Sequence, residues 1–238
     1  MAAELLKHIV YINLDERTDR KEHFRKEIQK LKMDPLTPVR IPGKKMAVGA
    51  MGCSLSHIKA LEYAKEQGWP QVLICEDDIT FTNPGVLFDS LEKCSRRPGW
   101  DVLLLGGNNW PPFYPVSDHC IRVNNCLSAT GYIVRQRYYD TLLNNFREGV
   151  KMFLYNPTKG YLYALDVYWR KLQIRDKWFM VIPATVNQWD NYSNIENRTT
   201  AYSPLMLDYA KSHAWIRPDV RERVMREMKF LGKPLVMR

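Results

Sequence analysis

The chain has 238 residues, of which 45% are hydrophobic and 26% charged, and a formal net charge of +9. That length suits one large domain or two small ones and builds a core without disulfide or metal staples. The composition excludes a disordered chain, and no apolar run approaches the roughly 20 residues of a membrane span.

His8 to Leu14 is an apolar, β-branched run that reads as a strand buried on both faces. A turn follows over Asp15 to Asp19. Arg20 to Lys32 reads as a helix, with Phe24, Ile28 and Leu31 on one face. Pro35 and Pro38 end it, and Val39 to Ile41 suggests a short second strand. Gly43 to Gly52 reads as a glycine loop leading into a helix from Cys53 to Gln67, which Gly68 stops. Gln71 to Cys75 is another buried strand, and Glu76-Asp77-Asp78 stands at its carboxyl end. Pro84 to Cys94 suggests a helix with proline in its first turn, and Asp101 to Leu105 a further strand.

The second half is less regular. Pro111 to Asp118 reads as a loop, Leu127 to Val134 as a strand, and Gln136 to Phe146 as a helix. Asp166 to Leu172 suggests a helix and Trp178 to Ile182 a strand. Pro183 to Pro204 reads as a long polar loop, and Arg217 to Lys229 as a charged helix. Alternating strands and helices in the first half argue for an α/β fold with a mostly parallel sheet. Such sheets bind ligands at the carboxyl ends of their strands. No linker is visible, so the expectation is a single domain. Residues 1–110 would form its nucleotide-binding half, and residues 111–238 its acceptor-facing half with a C-terminal helix.

Three adjacent acids repel one another unless a positive group sits among them. A divalent cation such as Mn²⁺ or Mg²⁺, with bound phosphates, is one remedy; a solvated acidic turn is the other reading. Alternation along a strand would put Glu76 and Asp78 on one side and Asp77 on the other. Asn13, Leu14, Arg17 and Arg20 also lie at or just past a strand's carboxyl end, where they could hold a nucleotide or simply start a helix. Ser56 and His57 lie near the start of a helix, whose free N–H groups suit phosphates. Asp166 opens a helix, as an N-cap or as a general base.

The five cysteines form no Cys-x-x-Cys pair and no Cys/His cluster with zinc-ligand spacing. Cys53 and Cys75 read as buried thiols, and Cys120 and Cys126 are spaced so that they could pair. The positive charges are spread from Lys7 to Arg238 and show no aromatic-interleaved patch, which argues against a nucleic-acid partner.

Taken together, these motifs resemble glycosyltransferase family 25, which includes lipooligosaccharide and collagen hydroxylysine galactosyltransferases. The resemblance rests on Tyr11-Ile12-Asn13-Leu14 with Arg17 and Arg20, on Gly52 to Leu61, and on Val72 to Asp78. It continues through Trp100 to Gly106 and Ala129 to Val134, with a weaker tail through Asp166, Pro183, Gln188, Ser193 and Ile195. It implies a glycosyltransferase A-type fold and an inverting transfer of a hexose, galactose favoured, from a UDP-sugar to a hydroxyl on a glycan or hydroxylysine-type side chain. It also implies a base at Asp166, nucleotide contacts from Asn13, Leu14, Arg17, Arg20, Ser56, His57, Glu76 and Asp77, and Mn²⁺ or Mg²⁺ on Asp78 with Glu76. His213 is a further metal candidate. Lipopolysaccharide biosynthesis and collagen modification are the two settings it suggests, with a homo-oligomer possible. No signal-peptide pattern opens the chain, so a cytoplasmic location is expected. The rival readings are a metal-dependent phosphohydrolase or nuclease and a basic, non-catalytic nucleic-acid-binding domain.

Overall fold

The computed structural model describes residues 2–33, 36–193, 195, 198–211, 218, 219, 222 and 226. In chain order the elements are α1 (Ala2–Leu5), β1 (Ile9–Asn13), α2 (Thr18–Lys30), β2 (Val39–Pro42), α3 (Gly49–Glu66), β3 (Gln71–Glu76), β4 (Ile79–Phe81), α4 (Pro84–Ser95) and β5 (Val102–Leu104). There follow β6 (Asn108–Asn109), β7 (Phe113–Ser117), β8 (Cys120–Val123), β9 (Cys126–Leu127), β10 (Gly131–Arg135), α5 (Tyr139–Tyr155), α6 (Leu165–Tyr168) and α7 (Arg170–Arg175). The described elements end with β11 (Trp178–Val181), β12 (Val186–Gln188), β13 (Asn191–Ser193), β14 (Arg198–Thr200) and α8 (Ser203–Leu207).

Eight strands form one sheet in the order β2-β1-β3-β10-β5-β11-β8-β7. β10 and β8 run against the other six, as their antiparallel pairings require. This is the mostly parallel, helix-flanked α/β sheet that the sequence predicts.

Alternation along the central strands sends side chains into two separate cores. Val72, Ile74, Val102, Leu104, Tyr132, Val134, Trp178 and Met180 face one side, where Ile58, Leu61, Leu142, Phe146 and Trp169 cover them. Leu73, Cys75, Leu103, Ile133, Phe179 and Val181 face the other, under Leu6, Phe24, Ile28, Leu87 and Leu91. Burial on both faces explains why these strands read as continuous apolar runs. α4 is set locally: the Asn83 side chain accepts from Val86 N at 3.1 Å, and Pro84 fills the first turn.

Several elements differ from the expectation. α3 starts at Gly49, inside the expected glycine loop. The expected loop at 111–118 contains β7, an edge strand on β8. The expected strand at 127–134 divides into Leu127, paired with β6, and β10 from Gly131. The expected loop at 183–204 holds β12, which pairs with β4, the hairpin of β13 and β14, and α8. Cys120 and Cys126 are both free and sit in opposite cores, so the sheet separates them. His213 and most of 217–229 lie outside the described residues.

Candidate active site

β1 and β3 are parallel neighbours and end together, so Asn13 and the acidic triplet meet at the sheet's carboxyl edge. The Asn13 side chain donates to Asp77 Oδ2 at 2.7 Å and to the Arg17 carbonyl at 3.0 Å. Its own Oδ1 accepts from Arg40 Nε at 3.0 Å. Leu14 is partly buried beside it, against Gly43.

Arg20 comes from the first turns of α2 and places one guanidinium nitrogen against two acids. Its Nη1 is 2.8 Å from Asp78 Oδ2 and 3.2 Å from Asp77 Oδ1. Its Nη2 donates to the Tyr192 carbonyl at 3.0 Å, and Arg17 donates to the same carbonyl at 3.1 Å. The hairpin of β13 and β14 is thereby tied to the start of α2.

Glu76 ends β3, whereas Asp77 and Asp78 lie in the turn beyond it, so strand alternation does not sort the three acids: Arg20 meets Asp77 and Asp78 together, and Gln188 meets Glu76 and Asp78. The Gln188 amide Nε2 reaches Glu76 Oε2 at 3.0 Å and Asp78 Oδ1 at 3.5 Å. β12 carries Gln188 there because it pairs with β4, which follows the triplet directly, and Trp189 N donates to the Asp78 carbonyl at 2.7 Å.

The Gln188 side-chain Oε1 accepts from Ser128 Oγ at 2.9 Å, and Ser128 N donates to Asp166 Oδ2 at 2.9 Å. Asp166, on the first turn of α6, is therefore joined to the triplet through Ser128 and Gln188. Ser128 holds φ at +75°, a conformation that disfavours residues with a Cβ. Bonds to Asp166, Gln188 and Thr130 pin it there, as strained residues at functional sites require.

Electrostatics separates the four acids. Burial pushes the Asp78 carboxyl up to about 7 although Arg20 pulls the other way. Asp77 is also raised by burial, with Arg20 and Asn13 opposing. Burial would raise Glu76 as well, but His57 and Arg20 beside it leave it below the usual carboxylate value. Burial raises Asp166, and the Ser128 amide partly offsets that. Asp78 and Glu76 converge as hard oxygen donors, and Asp78 still lacks enough positive charge to stay ionised easily. That donor set fits Mn²⁺ or Mg²⁺.

Ser56 and His57 turn inward. The Ser56 hydroxyl donates to the Gly52 carbonyl and accepts from Lys44 N, and His57 Nδ1 lies 2.9 Å from the Tyr132 hydroxyl. Arg40, Ser128 and Gln188 are site residues that sequence reasoning did not single out. Gln188 had a signal in the tail of the family resemblance.

The family model "Glycosyltransferase family 25 (LPS biosynthesis protein)" matches residues 32–167, more than half of the chain. The search of curated proteins found no match to this chain. Among solved structures, a glycosyltransferase involved in glycosylation of the major capsid of PBCV-1 aligns at a TM-score of 0.47 and 9% identity, over 73% of this chain and 79% of that one. A Drosophila β1,4-galactosyltransferase 7 mutant in complex with manganese, UDP-Gal and xylobiose aligns at 0.36 and 11% identity, over 58% and 52%. A nucleoside-diphosphate-sugar pyrophosphorylase from Vibrio cholerae aligns at 0.35 and 16% identity, over 78% of each chain. Among the described residues, no helix is long and apolar enough to cross a membrane.

Proposed function

The chain belongs to glycosyltransferase family 25 and so transfers sugar from a nucleotide-sugar donor to an acceptor; from that premise we propose an inverting, metal-dependent hexosyltransferase that takes galactose from a UDP-sugar. The acceptor is a hydroxyl on a glycan or a hydroxylysine-type side chain. The observation that carries this reading is the hydrogen-bonded chain from Asp166 through Ser128 and Gln188 to Glu76. It holds the Asp166 carboxylate and the acidic triplet in one fixed relation.

In the proposed reaction the acceptor oxygen attacks the anomeric carbon as the bond from that carbon to the diphosphate breaks. The diphosphate leaves with the electron pair, and the acceptor proton passes to Asp166. With Oδ2 engaged by Ser128, Oδ1 is the oxygen assigned to that proton. A base raised above the usual carboxylate value is better matched to a hydroxyl proton near neutral pH. Asn13, Leu14, Arg17, Arg20 and Asp77 line the nucleotide side. Mn²⁺ or Mg²⁺ held by Asp78 and Glu76 would supply positive charge for the leaving diphosphate. Tyr192, exposed on the hairpin that Arg17 and Arg20 hold, offers a ring face to a sugar.

The test is a panel of UDP-sugars with Mn²⁺ and candidate acceptors, scored by nucleoside diphosphate release and by product mass. UDP-galactose is expected to give acceptor-dependent release. Asp166→Asn is expected to lower turnover by about 10²–10⁴ with a smaller change in donor KM. Unchanged turnover in that variant would remove the base assignment. Phosphate-ester cleavage without sugar transfer would instead favour a phosphohydrolase.

A further inference from the structure

His57 is wholly buried on α3, and its two ring nitrogens differ in their surroundings. Nδ1 faces the Tyr132 hydroxyl. Nε2 is buried, makes no hydrogen bond, and points at Glu76 Oε1 from 3.5 Å. Cys53 lies one helical turn earlier and shares that face of α3. Its thiol donates to the same Glu76 oxygen at 3.7 Å. The three ligand atoms all lie within 4.8 Å of one another.

We propose that Cys53, His57 and Glu76, through its Oε1, form a cation site of the zinc class that shares Glu76 with the acidic triplet. A tetrahedral Zn²⁺ sits about 2.3 Å from sulfur and about 2.0 Å from nitrogen or oxygen, which sets its ligands roughly 3.3–3.5 Å apart. The two separations to Glu76, 3.7 and 3.5 Å, need a contraction of only a few tenths of an ångström, while the Cys53–His57 separation, within 4.8 Å, closes by rotation of the Cys53 side chain. A thiolate and an imidazole favour Zn²⁺ over the Mn²⁺ or Mg²⁺ that carboxylates prefer.

On binding, the Cys53 S–H bond breaks, its proton leaves to buffer, and a sulfur–metal bond replaces the thiol's bond to Glu76. The surroundings supply the outer contacts that metal ligands need. Tyr132 fixes the His57 ring, and Gln188 holds Glu76 by its other oxygen. Glu76 and Cys53 are partly exposed, so a fourth position faces outward. The sequence alone hides this site. Cys53 and His57 are a helical pair, but the third ligand lies 19 positions further on, on a strand. The inference does not depend on the sugar transferred or on Asp78.

The experiment titrates Co²⁺, a spectroscopic stand-in for zinc, into the chelator-treated full chain. One equivalent should produce tetrahedral visible bands and a thiolate-to-cobalt charge-transfer band, and one equivalent of Zn²⁺ should abolish both. Cys53→Ser should lose the charge-transfer band, His57→Gln should weaken binding at least tenfold, and Asp78→Asn should keep the band. Circular dichroism checks that each variant is folded. Absence of the charge-transfer band in the folded wild type overturns the proposal, as does its survival in Cys53→Ser. Sugar transfer is not the readout, so this result and the test of the transfer reaction fail independently.

Discussion

Arg20 faces Asp77 and Asp78 together, yet burial still pushes Asp78 up to about 7. In an unfolded chain the same carboxyl titrates near 3.9. The folded state therefore holds more protons between those values, and stability falls as pH rises from about 4 to about 7. With chelator present, the wild-type melting temperature should drop from pH 5 to pH 8 by several degrees more than that of Asp78→Asn. The amide cannot ionise, so the variant's profile should be flatter. Parallel profiles, measured by differential scanning calorimetry, would count against this assignment. At this scale the sequence displays the charged groups: acids past a strand end, and arginines at a helix start. Gln188 and Ser128 carry no such mark. Gln188 acquires its place from Glu76, 112 positions away. Ser128 adopts a conformation usual for glycine, and bonds from other segments hold it there.

Elements buried on both sides were the legible ones. β1, β3, β5 and β11 read as apolar runs because neither face meets water. β7 was hidden because it is an edge strand with exposed residues and Pro115, which an edge tolerates. β12 was hidden for another reason: Asn187 and Gln188 spend their side chains on polar contacts near the site. Gly49 and Gly52 suggested a loop, but α3 winds through both, and a Cβ at Gly52 would lie 2.2 Å from the Lys44 carbonyl oxygen. The same logic fixes β12. A Cβ at Gly106 would stand 2.3 Å from the Val186 carbonyl oxygen, and Gln188 lies two residues beyond. Gly106→Ala should therefore push β12 away, cost about 1–3 kcal/mol in urea unfolding, and weaken catalysis as well. Gly85→Ala is the control. Its Cβ would meet Asn83 Oδ1 at 3.7 Å, and it lies within α4, so stability should hold or rise. Equal losses in both variants would show that close packing at Gly106 is not the cause.

At the scale of the molecule, the sheet interleaves early and late strands. β5 belongs to the first 110 residues, yet both of its partners, β10 and β11, come later. β3 likewise has β1 on one side and β10 on the other. Cutting the chain near residue 110 would leave Val102, Leu103 and Leu104, all fully buried in the whole protein, without any strand beside them. The nucleotide half and acceptor half expected from the sequence should therefore not be separate folding units. Trp100 lies in one core, and Trp169 and Trp178 lie in the other, so tryptophan fluorescence reports on both faces of the sheet. Denaturant unfolding should give one transition, with the same midpoint by fluorescence and by far-ultraviolet circular dichroism. Trp100→Phe, which leaves the signal weighted toward the other core, should keep those two midpoints coincident even if both shift. A fragment of residues 1–110 should show no cooperative transition. Separate midpoints, or a cooperatively folding fragment, would mean that the two halves are independent and that Gln188 docks onto a triplet already folded without it.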